Sequence, residues 1–66
     1  MNVHVNGEPT QFATSPTVEE VLGVADLPRA DVAVAVNGSV VPRSKWTTTR
    51  VESDAVVEVV TAMQGG

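Results

Sequence analysis

Polar and apolar residues alternate along Asn2-Val3-His4-Val5-Asn6, the two-residue period of a half-buried strand. Val3 and Val5 fall on one face and His4 on the other, toward solvent. Asn6-Gly7 follows, and this pair is the strongest short-range hairpin signal because both residues tolerate positive φ. Thr10-Gln11-Phe12 is then the expected return strand, with Phe12 turned to the core. Beyond it the period changes. Val18, Val21, Leu22 and Ala25 recur at helical spacing, and Thr17 stands three residues before Glu20 in a capping box. Gly23 costs up to about 1 kcal/mol relative to alanine in a helix, so the predicted helix is short. Leu27-Pro28-Arg29-Ala30 reads as the loop leading out.

Val32-Ala33-Val34-Ala35-Val36 is almost continuously apolar and ends at a second turn signal, Asn37-Gly38. Such a run predicts a central strand buried on both faces, with the valines on one side and the alanines making the other side thin. Val40-Val41 returns, and Pro42 stops that strand. Residues 43–49 read as an irregular crossing with one helical turn near Trp46. Residues 55–61 form the last strand, with Val57 and Val59 on one face and Val56, Glu58 and Val60 on a partly buried one. The order ββ-α-β-β-β predicts an α+β fold, since one apolar helix stripe can cover one face of a sheet. It is the order of a β-grasp (ubiquitin-like) domain: a mixed sheet of four or five strands with one main helix. Residues 1–61 are expected to form that single domain and residues 62–66 a flexible tail.

Composition narrows the picture. A chain of 66 residues is one domain at most, burying ~60% of its unfolded surface, with a stability on the order of 5 kcal/mol. Without cysteine it has no disulfide and no thiolate metal site. The core must be aliphatic, because Phe12 and Trp46 are the only aromatics. Trp46 has two readings, a plug at the open end of the sheet or an anchor for a partner. Eight acidic against four basic residues give a net charge of -4. Arg43, Lys45 and Arg50 make only a small local cluster, which argues against nucleic acid and for basic protein partners. No apolar run approaches the ~20 residues of a membrane span, and Met1-Asn2-Val3-His4 does not begin a signal peptide. A cytoplasmic location is expected.

Internal chemistry is scarce. His4 is the only histidine, so neither a hydrolase triad nor a histidine metal site can be assembled. Ser15, Ser39, Ser44 and Ser53 lie where turns need hydroxyls. Glu19 and Glu20 belong to the helix surface and its cap. No bound cofactor and no autonomous enzyme activity are expected. The end of the sequence, Ala62-Met63-Gln64-Gly65-Gly66, is different. Two glycines at a given pair of positions arise by chance only about 0.5% of the time. A frayed terminus is one explanation. The other is physical: without Cβ atoms, Gly65-Gly66 makes a thin strand able to enter a narrow channel and present its carboxylate to another enzyme.

With these pieces in order, the sequence resembles the ThiS family of sulfur carriers from thiamine biosynthesis. The likeness lies in Thr17-Val18-Glu19-Glu20-Val21-Leu22, in the stretch from Ala35-Val36-Asn37-Gly38 through Val41-Pro42-Arg43-Ser44-Lys45-Trp46, and in Val57-Glu58-Val59-Val60-Thr61 with the tail. One departure is Ser53-Asp54, where relatives often carry a glycine next to the aspartate. The resemblance implies that a ThiF-like adenylyltransferase, using ATP and magnesium, adenylates the Gly66 carboxylate. Sulfur from a cysteine desulfurase system would then replace AMP to give a thiocarboxylate, which a ThiG-like thiazole synthase would use. Gly66 would be the acceptor and Gly65 its slim neighbour, with Val60, Ala62, Met63 and Gln64 as docking residues. Related alternatives are a carrier for molybdopterin or another pathway, and a modifier attached to lysines. A plain β-grasp interaction module is the alternative from another class.

Overall fold

The computed structural model describes residues 1–27 and 30–61, of Thr61 the backbone alone. Pro28 and Arg29 of the predicted loop lie outside the described residues. Five strands and one helix follow in the expected order: β1 (Asn2–Val5), β2 (Glu8–Gln11), α1 (Val18–Val24), β3 (Val32–Val36), β4 (Ser39–Val41) and β5 (Val56–Thr61). A short 3-10 turn, Arg43–Lys45, lies between β4 and β5 and ends at Trp46.

The sheet order is β2-β1-β5-β3-β4. Both hairpins are antiparallel, β5 runs antiparallel to β3, and β1 and β5 are parallel. The last strand in sequence is therefore the middle strand in space, inserted between the two hairpins. This mixed sheet with a single helix is the β-grasp architecture.

Both hairpin turns use the backbone that their asparagine-glycine pairs favour. Asn6 and Asn37 each have φ 50°, and Gly7 and Gly38 each have φ 86°. Two consecutive positive φ values match the right-handed twist of the flanking strands. The return strand starts at Glu8, earlier than the predicted Thr10, and Phe12 lies one residue beyond its end, half-buried against the core. Pro9 is accommodated because β2 is an edge strand, where a missing N–H interrupts no ladder.

Helix α1 starts where the capping box predicts. The Glu20 N–H donates to the Thr17 hydroxyl at 3.2 Å, and the Thr17 N–H donates to the Glu20 carboxylate at 2.9 Å. Its apolar stripe, Val18, Val21 and Leu22, is fully buried against Val3, Val5, Val34, Val51 and Val57. Ala25 is half-buried at the end of that stripe and forms the C-cap.

Three expectations about burial are corrected. β3 is interior, but β5 is the central strand, and β3 is not buried on both faces. Only Val34 in it is fully buried, and Ala33 is exposed. The reason is the number of layers: one helix covers one face, and nothing among the described residues covers the other. By the same cause Val56, Glu58 and Val60 are exposed rather than partly buried. His4, expected in solvent, is half-buried on this open side, opposite Val56 and Pro9 in the ladders.

Candidate functional site

Pairing places one row of side chains after another on the open face of the sheet. Residues paired across antiparallel strands share a face. Val60 of β5 is opposite Ala33 of β3, Glu58 is opposite Ala35, and Ala35 is opposite Val40 of β4. Val40 is 71% exposed, Val60 59% and Val56 46%, which makes them three of the four most exposed large apolar residues among those described. The fourth, Val24, is on the helix. Two alanines between Val40 and Val60 keep the surface flat, and the carboxylate of Glu58 is the one charge set into it. Exposed apolar area that is contiguous, rather than scattered, marks an interaction surface.

This face lies on the strand that leads to the C-terminal glycines. Of the residues singled out in the sequence, Val60 is in the open face one position before Thr61. Ala62, Met63, Gln64, Gly65 and Gly66 lie outside the described residues. The sequence reading missed Val40, Ala33 and Ala35 as members of the same surface. The thin alanine side of β3 was legible, and so was the presence of only one apolar helix. Together these indicate an uncovered face.

Trp46 adds nothing to that surface. It is 3% exposed, its indole N–H donates to the Val41 carbonyl at 2.9 Å, and the Arg43 guanidinium lies 4.7 Å from the ring centroid. It is the plug of the two readings. The small basic cluster is likewise occupied with local structure: Arg43 stacks on Trp46, and Arg50 donates to the Ser15 carbonyl at 2.6 Å. Lys45 is exposed. Among the described residues, no three His, Asp or Glu side chains converge as a metal site, and no helix is long and apolar enough to cross a membrane.

The same arrangement of strands and helix is found in proteins of known family. The family model described as the ThiS family matches residues 3–66. The crystal structure of a thiamine biosynthesis protein (ThiS) from Geobacter metallireducens is 35% identical, covers the whole of both chains and superposes with a TM-score of 0.83. A solution NMR structure of a thiamine biosynthesis protein from the same organism is 36% identical and covers all of this chain and 88% of that one, with a TM-score of 0.75. A thiazole synthase from Paramagnetospirillum magneticum (strain ATCC 700264 / AMB-1) is 35% identical over all 66 residues. This chain spans only 20% of the length of that curated relative. A family match that runs through both glycines and a fold shared end to end with a solved ThiS protein agree with each other: the chain belongs to the ThiS family.

Proposed function

We propose that this protein is a sulfur carrier of thiamine biosynthesis that works through the carboxylate of Gly66. The observation that carries the reading is the family match extending through Gly65-Gly66, on a domain whose last strand borders an exposed apolar face. A carboxylate is a poor acyl donor. Attack of its oxygen on the α-phosphate of ATP, with loss of pyrophosphate, makes a mixed anhydride with a good leaving group. Magnesium on the phosphates belongs to the activating enzyme, a ThiF-like adenylyltransferase. The terminal sulfur of a persulfide, formed from cysteine through a desulfurase, then displaces AMP to give an acyl disulfide. A thiol cleaves that bond, leaving a thiocarboxylate on Gly66 and a disulfide on the donor.

In this reading residues 62–66 are a flexible tail, and Gly65 lets the backbone pass where a Cβ would collide. Val60, with Ala62, Met63 and Gln64, meets the activating enzyme. The acceptor of the sulfur is a ThiG-like thiazole synthase. Support for that partner comes from the thiazole synthase relative, in which a stretch like this chain makes up about a fifth of the protein. Joining a carrier-like segment to a synthase in one chain raises the effective concentration of each for the other. The protein itself is a substrate of these enzymes rather than an enzyme, holds no cofactor, and works in the cytoplasm.

Mass spectrometry tests the reading. The full chain is incubated with a ThiF-type enzyme, ATP, magnesium and a sulfur source, then fragmented. Exchange of one oxygen for sulfur has the nominal mass of methionine oxidation, and Met1 and Met63 are both present. The expected gain is therefore localised to Gly66 and absent without ATP. An unmodified Gly66, alongside an enzyme that activates its own carrier, would leave the interaction-module reading in its place.

A further inference from the structure

Asn6 lies outside both the apolar face and the tail, yet its side chain holds the strand that leads to the tail. β1 pairs with β5 only at His4↔Val56 and Val5↔Val57. On its other edge β5 stays paired with β3 as far as Val32↔Thr61. Beyond Val57, the outer edge of β5 has no strand beside it among the described strands. Asn6 fills that gap. Its backbone N–H donates to the Val57 carbonyl at 2.9 Å. Its Oδ1 then accepts from the Val59 N–H at 2.8 Å, and its Nδ2 donates to the Val59 carbonyl at 3.3 Å. One carboxamide thus bonds both the N–H and the carbonyl of Val59, beyond the last paired residue of β1.

We propose that Asn6 is a positioning residue for the carrier reaction, clamping the end of β5 so that the tail leaves the sheet from a fixed point. The inference rests on the carrier reading above. With Val59 held, Gly66 can extend at most ~25 Å from it, seven residues of fully extended chain. Val60 and Thr61 are also presented in strand conformation before any partner arrives. Without the clamp that stretch is held along its β3 edge alone, and wherever it frays it has to be ordered again at docking. Fixing the backbone of even one residue weakens binding by about tenfold.

The other hairpin supplies a matched control. Asn37 donates its N–H to the Val56 carbonyl at 2.8 Å and accepts from the Val56 N–H through Oδ1 at 2.9 Å. It clamps the beginning of β5, away from the tail.

Asn6→Gly and Asn37→Gly each keep a backbone suited to the turn, since Gly-Gly is also a favoured hairpin pair, and each removes one clamp. Pyrophosphate release by a ThiF-type enzyme is measured against concentration of the full-length chain, and amide exchange is followed in the free protein. Asn6→Gly should raise KM about tenfold at unchanged kcat and expose the Val59 amide while Val57 stays protected. Asn37→Gly should leave KM within about twofold of wild type. Asn6→Asp keeps the bond from the Val59 N–H and loses the donated one, so its KM should fall between. It also serves if Asn6→Gly fails to fold. An equal rise in KM for both glycine variants, a wild-type KM in Asn6→Gly, or a loss confined to kcat overturns the proposal and leaves the carrier reading intact. If the wild-type chain is not activated by an enzyme that adenylates its own carrier, the carrier reading falls and this role of Asn6 falls with it.

Discussion

At the scale of single residues, Trp46 combines packing with two specific contacts, the indole N–H on the Val41 carbonyl and the Arg43 guanidinium on its face. Phenylalanine would keep most of the volume but leave the Val41 carbonyl without that donor. Trp46→Phe should therefore lower the unfolding free energy by about 1–3 kcal/mol in urea titrations. The concentration dependence of activation should stay within about twofold of wild type, because a buried ring has no partner to lose. Asp54 is informative in another way. Its φ of 66° lies in the left-handed region, and its N–H donates to the Asn2 carbonyl at 2.6 Å. The turn at Ser53-Asp54 thus puts its left-handed position on Asp54, one of the few side chains that tolerate this conformation.

Elements differ in how much of them could be read from sequence, and the difference follows the range of the forces involved. The hairpins and α1 depend on neighbours in sequence. Asn6-Gly7, Asn37-Gly38 and the Thr17/Glu20 box each carry their own local bonding, so their positions were legible. Thr17→Ala should cost about 1 kcal/mol of stability, measured by thermal or urea unfolding, since it removes the hydroxyl that accepts from Glu20. The burial of β3 depends instead on how many layers the whole chain can build. Its five apolar residues suit a strand covered on two sides, but the sequence has one helix stripe to give, and Ala33 is left in solvent. The start of β2 was missed for a simpler reason. Glu8 and Pro9 are poor strand formers, and they are tolerated only because β2 is at the edge.

For the whole molecule, the candidate site divides in the same way. The glycine pair is a property of sequence and was read directly. The surface that accompanies it is an outcome of pairing, which brings Val40, Ala35, Ala33, Val60 and Glu58 together from three strands. Val60→Lys tests the surface as a unit. Because Val60 is 59% exposed, the change should alter unfolding free energy by no more than about 0.5 kcal/mol. If the open face docks on the activating enzyme, KM for the carrier should rise at least about tenfold. Unchanged kinetics of activation would remove the open face from the mechanism while leaving the Gly66 chemistry standing.

The placement of β5 also bears on how the protein comes into being. A ribosome delivers this strand after all the others, yet both hairpins are joined through it, with His4 meeting Val56 across almost the whole chain. Synthesis from the N-terminus lets many domains begin to fold as they emerge. Here the sheet has no middle until β5 is out, so its closure is governed by long-range pairing and not by the hairpins alone. A chain cut short before β5 cannot become a stable carrier without a tail. Such a chain should stay unfolded and open to proteases, so the folded population is made of chains that carry the strand leading to Gly66.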